Sequence, residues 1–289
     1  MSRYRFVSAH RDQYSVTALC RATKVSRSGY YAWANKPPSP RCVEDAYLTH
    51  TIREIHQRSR RTYGAPRIHG QLCRLGTRIG RKRVARLMAQ EDLVGVHARK
   101  KWRRGRLDVA PAGDLLKRNF SASRPNERWV ADITEFSTGE GKLFLAGVRD
   151  LCGRGLVGWS MGNRQTSELV IEAVTMAVAR REPNTELIHH SDKGCQYTSL
   201  DFTNRLRELG LVPSYGSTGD CYDNAAMETF WATLKRELSW MHGPLIYMSR
   251  SRLRSALFDY IEIFYNRERA QAGLGHLSPL DYEASLVVA

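Results

Sequence analysis

From residue 128 onward, apolar positions come in short alternating runs before a helical period takes over. RWVADITEF (128–136), KLFLAGVRD (142–150) and GLVGWSM (155–161) read as three successive strands joined by short turns. SELVIEAVTMAVARR (167–181) changes to the i, i+3, i+4 spacing of a helix, and ELIHHSD (186–192) returns to a strand. A helix over LDFTNRLRELG, a short strand VPSY (212–215) and a helix from about Asn224 to Leu238 complete the series. Within the first strand Asp132 breaks the apolar face, and a lone buried carboxylate is costly unless it is paired or holds a metal.

Three strands linked by short turns, then alternating helix and strand, predict an α/β ribonuclease H-like domain: a mixed five-stranded sheet with helices, over 128–240. The chain before it is helical in pattern. SVTALCRATKVSRSGYYAW (15–33) reads as two short helices, with Val16, Leu19 and Cys20 apolar and Ser26 placed as a cap. That shape fits a helix-turn-helix over 1–40, although a plain helical hairpin has the same pattern. KPPSPR (36–41) reads as a linker, and residues 44–60 as an amphipathic helix with Leu48, Ile52 and Ile55 on one stripe. A helix pair with a turn between Gly76 and Gly80, and Pro66 early in its first helix, extends this second helical domain over 44–96. Residues 97–127 form a basic linker, and 241–289 a C-terminal helical extension.

Charge sharpens the division. The net charge is +16, but residues 1–127 hold 28 Lys and Arg against 9 Asp and Glu, while residues 128–289 hold 17 against 20. A basic half ahead of a slightly acidic one points to a part that grips a polyanion and a part with other work. Arg81, Lys82, Arg83 and Arg86 crowd the start of one helix, and Lys100, Lys101, Arg103 and Arg104 fill the linker beside Trp102. Both groups suit phosphate contact, although a solvated basic face would look the same. Trp102 could stack on a base or dock on a neighbouring domain. The six cysteines lie far apart with no C-x-x-C pair, which favours reduced thiols in a cytoplasmic protein and offers no zinc-ligand spacing. No apolar run approaches a membrane span, so no membrane partner is expected.

Three acids stand at the places where this fold would gather them: Asp132 on the first strand, Asp192 ending the fourth, and Glu228 on the late helix. Three unpaired carboxylates would repel one another, whereas one or two Mg²⁺ ions turn that repulsion into ligation. The arrangement suits two-metal phosphodiester chemistry. Asp220 and Asp223, beside Gly219 and Asn224, read as turn and capping residues. His189 and His190 read as structural or supporting, since Mg²⁺ prefers oxygen, and at least one should face the core.

WVADITEF, HHSDKGCQYTS, GDCYDNAAMETFWATLKRE and YNRERAQAGLGHLSP resemble, in order and spacing, the transposases of insertion-sequence family three. More closely, they resemble its downstream-frame product, with a retroviral-integrase-like DDE core. The resemblance implies Asp132, Asp192 and Glu228 as catalytic, metal-binding residues, with Mg²⁺ as cofactor and Mn²⁺ able to substitute. It also places Lys235, on the same helix face as Glu228, at the DNA end. Asn224, Gln196 and Tyr197 become active-site neighbours, unless they serve only local turns and caps. The implied activity is DNA strand cleavage at the element ends and strand transfer, by a homo-oligomer holding two ends. An upstream-frame protein or fusion is implied as a partner.

Two positions depart from the family pattern. Gln271 stands where the C-terminal motif usually has His, and Lys193 where the loop usually has Arg, so phosphate contact there loses its bidentate geometry. Two other functions fit less well. A DNA-binding regulator with a relic core would not need all three acids, and a plain nuclease would not need the long basic half.

Overall fold

The computed structural model describes residues 2–97, 122–183, 186–216 and 225–288. These form two compact units that divide between Thr51 and Ile52, inside helix α4 (Pro40–Arg58). The helix starts four residues before the expected 44, because a proline in the first turn sacrifices no intrahelical bond. Among the described residues no helix is long and apolar enough to cross a membrane.

The first unit contains α1 (Arg3–His10), α2 (Val16–Ala22) and α3 (Arg27–Ala34) around Val7, Leu19, Cys20 and Tyr30. Ser15 Oγ accepts from Ala18 N at 3.3 Å and Ser26 Oγ from Gly29 N at 3.0 Å, so each helix of the pair starts on a serine cap. Helix α1 was not expected from the pattern. It buries only Val7, so it carries almost no apolar stripe to read.

The second unit is built on a five-stranded sheet of order β3-β2-β1-β4-β5. Strands β1 (Arg128–Thr138), β2 (Gly141–Asp150) and β3 (Leu156–Gly162) run antiparallel, while β4 (Ile188–Ser191) and β5 (Val212–Tyr215) lie parallel to β1. This is the mixed ribonuclease H-like sheet expected from the strand order. Helices α7 (Ser167–Arg181) and α8 (Leu200–Glu208) cover the face bearing Trp129 and Ala131, with Val174, Phe202 and Leu206 in the same core. Helix α9 (Ala225–His242) packs against β1. Because strand side chains alternate, the burial of Trp129 and Ala131 under α7 and α8 puts Asp132 on the other face.

Residues 52–97, including α5 (Ala65–Arg74) and α6 (Arg81–Gln90), belong to this second unit. The chain returns after α9 as α10 (Arg250–Phe258), continues as a π-helical stretch (Asp259–Glu268), and ends in α11 (Pro279–Val288). A buried charge cluster joins these parts. Glu237 of α9 accepts two bonds from Arg269 at 2.7 Å, one from Tyr260 Oη at 2.8 Å and one from Arg67 Nη1 at 3.2 Å. Nearby, Asn266 pairs with the main chain of Leu156: its Oδ1 accepts from the Leu156 N–H and its Nδ2 donates to the Leu156 carbonyl, both at 2.9 Å.

Candidate active site

The site is assembled by β1, the end of β4 and the start of α9. Asp132 lies mid-strand, opposite Gly147 of β2. Asp192 directly follows β4, which pairs in parallel with β1, so the topology brings the two acids to the same region of the sheet. Glu228 lies in the first turn of α9.

The three acids are coupled through the field at Asp132. Burial, followed by the charges of Asp192 and Glu228, pushes the Asp132 carboxyl up to about 7. Two hydrogen bonds oppose that rise: Oδ1 accepts from the Ile133 N–H at 2.8 Å, and Oδ2 from Trp231 Nε1 at 3.0 Å. Asp192 is exposed, and its Oδ1 accepts from the Gly194 N–H at 3.0 Å. Among the described residues no group of three His, Cys, Asp or Glu side chains is close enough to hold a metal ion as it stands.

Around this group the expected neighbours separate. Lys235 sits with its Nζ 5.2 Å from the centre of the Phe136 ring. Burial lowers its pKa, and the charges of Glu135 and Asp132 pull it back up. It therefore shares the field of Asp132. Lys193 is exposed in the loop after Asp192. Gln196 Nε2 donates to the Gln165 carbonyl at 3.3 Å, a loop-bracing bond. Tyr197 is buried against Phe202, and its hydroxyl, which feels both Asp132 and Asp192, makes no hydrogen bond among the described residues.

Both His189 and His190 are buried. Burial lowers His189 to about 4, and its ring packs edge-on to Phe202, while His190 Nδ1 meets Ser214 Oγ at 3.0 Å. Arg81, Lys82 and Arg86 are exposed on α6 and Arg83 is half-buried, with Arg86 Nη1 donating to Gln90. Gln271 is buried in the C-terminal segment, where its N–H donates to the Leu277 carbonyl. Lys100, Lys101, Trp102, Arg103, Arg104, Asp220, Asp223 and Asn224 lie outside the described residues. Sequence reasoning missed Trp231. Its spacing from Glu228 was visible in METFW, but its partner stands 99 positions away on another element.

Comparison with known proteins identifies the family. Residues 122–221 and 228–286 match two models described as integrase core domain, and residues 43–101 match an HTH-like domain. The chain is 41% identical to an uncharacterised 31 kDa protein of insertion element IS600 from Shigella sonnei, over 90% of this chain and 96% of that one. It is 37% identical to the transposase InsF of insertion sequence IS3A from Escherichia coli K12, over 97% of this chain and 98% of that one. The magnesium-bound catalytic core of HTLV-2 integrase matches 56% of this chain and 99% of its own, at 16% identity and a TM-score of 0.45. Similarity at this level along almost the full length of its bacterial relatives means that the chain belongs to the IS3 family of insertion-sequence transposases, as a downstream-frame member with an HTH-like domain and an integrase core.

Proposed function

We propose that this transposase cuts one DNA strand at each end of its element and joins the freed 3′-hydroxyl to a new phosphate, with Asp132, Asp192 and Glu228 as its catalytic carboxylates. The observation that carries the reading is the topology, which sets Asp192 at the end of β4 beside the strand of Asp132 and Glu228 in the first turn of the helix packed on that strand. An all-oxygen donor set of mutually repelling charges fits Mg²⁺, with Mn²⁺ as a substitute, and offers nothing soft for zinc. Bound there, the metal would sharpen the attacking water or 3′-hydroxyl and stabilise the leaving 3′-oxygen.

The chain's own groups do the rest. Asp132 is held by its two hydrogen bonds, so its carboxylate plane is set before substrate arrives. Lys235, partly buried beside Asp132, supplies a positive charge to the DNA end, and Lys193 supplies a second from the neighbouring loop. Arg81, Lys82, Arg83 and Arg86 grip the DNA backbone from α6, and the first three helices read the element ends. Joining two ends requires at least two copies, and the upstream-frame protein, separate or fused, completes end recognition. The substrate is bacterial DNA.

The test is Mn²⁺- or Mg²⁺-dependent nicking and joining of DNA bearing the element's ends. Glu228→Gln should retain DNA binding and lose strand cleavage, because it keeps the shape and removes one ligand charge. A Glu228→Gln chain that still cuts with metal would refute the assignment.

A further inference from the structure

The β1–β2 register places Gly147 opposite Asp132. A Cβ on Gly147 would stand 2.8 Å from Trp231 Cη2, 3.3 Å from Trp231 Cζ2 and 3.0 Å from Leu156 Cδ1. Its φ is not positive, so the backbone does not demand glycine there. The space does: the missing side chain leaves a notch that the indole fills. From that notch Trp231, 5% exposed, donates Nε1–H to Asp132 Oδ2 at 3.0 Å. Trp231 lies three residues after Glu228, one helical turn along α9.

We propose that Trp231 is a positioning residue for the Asp132 carboxylate, seated by the Gly147 notch and coupling the strand acid to the helix that carries Glu228. The inference rests on the carboxylate reading above. An indole nitrogen donates and never accepts, so it can serve only an oxygen that keeps a lone pair for it. Together with the Ile133 N–H on Oδ1, it fixes both oxygens of Asp132, leaving their remaining lone pairs for a cation. Supporting donors of this kind change metal affinity by about 10- to 100-fold when removed. The coupling also means that a shift of α9 moves Glu228 and the restraint on Asp132 together.

Calorimetric Mn²⁺ titration of the full chain without DNA tests this, on wild type, Trp231→Phe, Gly147→Ala, the double variant and Asp132→Asn. Trp231→Phe keeps a ring in the notch and removes only the donor, so it should fold as wild type yet bind Mn²⁺ about tenfold or more weakly. Gly147→Ala, which pushes the indole away, should weaken binding similarly, and the double variant should be no worse than the weaker single. Wild-type affinity in Trp231→Phe, or losses that add in the double variant, would overturn the proposal. If Trp231→Phe does not fold, undiminished affinity in Gly147→Ala overturns it instead. A wild-type chain that binds no Mn²⁺, like Asp132→Asn, would bring down the carboxylate reading and this inference with it.

Discussion

Glu237 shows how much a single side chain can commit. It lies in LKREL, between two other charged residues and a leucine, yet it is 2% exposed. Helical period puts it on the buried stripe of Phe230 and Leu234 but does not find its partners, because Arg67, Tyr260 and Arg269 come from distant parts of the chain. Burial pulls its carboxyl up, but the Arg269 and Arg67 charges and the Tyr260 hydroxyl outweigh that and hold it below the usual carboxylate value of 4.5. Glu237→Ala would strand Arg269, itself 4% exposed, and should cost about 3–5 kcal/mol in denaturant unfolding. The sign with pH follows from the lowered value. This contribution is complete above 4.5 and is lost as pH falls through the lower folded value, so Tm should drop on acidification. In Glu237→Gln that part of the drop should vanish. Tyr197 offers the opposite case. Its buried hydroxyl has no partner among the described residues, so Tyr197→Phe should leave stability unchanged or raise it by up to about 1 kcal/mol, read by the same unfolding curves.

Helix α9 explains why the sheet and the carboxylates stay in register. Glu228 and Glu237 are nine residues apart, about two and a half turns, so they occupy opposite faces of the helix. One face serves the candidate site and the other is pinned by Arg269. The three strands at the front, α7 and the Ser26 cap were legible, because alternation, helical period and cap chemistry are local properties of the chain. The π-helical stretch and the inward role of YNRERAQAGLGHLSP were not: Asn266 bonds Leu156, 110 positions away, and Gln271 is buried, facts set by docking rather than by pattern. Close element packing yields a further prediction. A Cβ on Gly158 of β3 would lie 2.2 Å from the Ala173 carbonyl and 2.6 Å from Ala177 Cβ, so α7 rests on bare backbone there. Gly158→Ala should force α7 off the sheet and destabilise by about 1–3 kcal/mol or more, seen as a lowered Tm.

For the molecule as a whole, the proposed function assigns the holding of DNA to the basic half and the reaction to the acidic half. Neutralising Arg81, Lys82 and Arg83 together should weaken binding to every sequence alike and flatten the salt dependence by about 0.9 per lost phosphate contact. An unchanged slope in filter-binding or anisotropy titrations would show that α6 does not touch the backbone. The paired amide of Asn266 has a wider consequence. Strand β3 is one of the two edges of the sheet, and an open edge invites another chain to add itself. By supplying a donor and an acceptor to Leu156, Asn266 acts as a short surrogate strand against that edge. The C-terminal segment is then a guard against self-association as much as an appendage. A core excised at residue 240 should come out of expression aggregated, and light scattering should show Asn266→Ala drifting in the same direction.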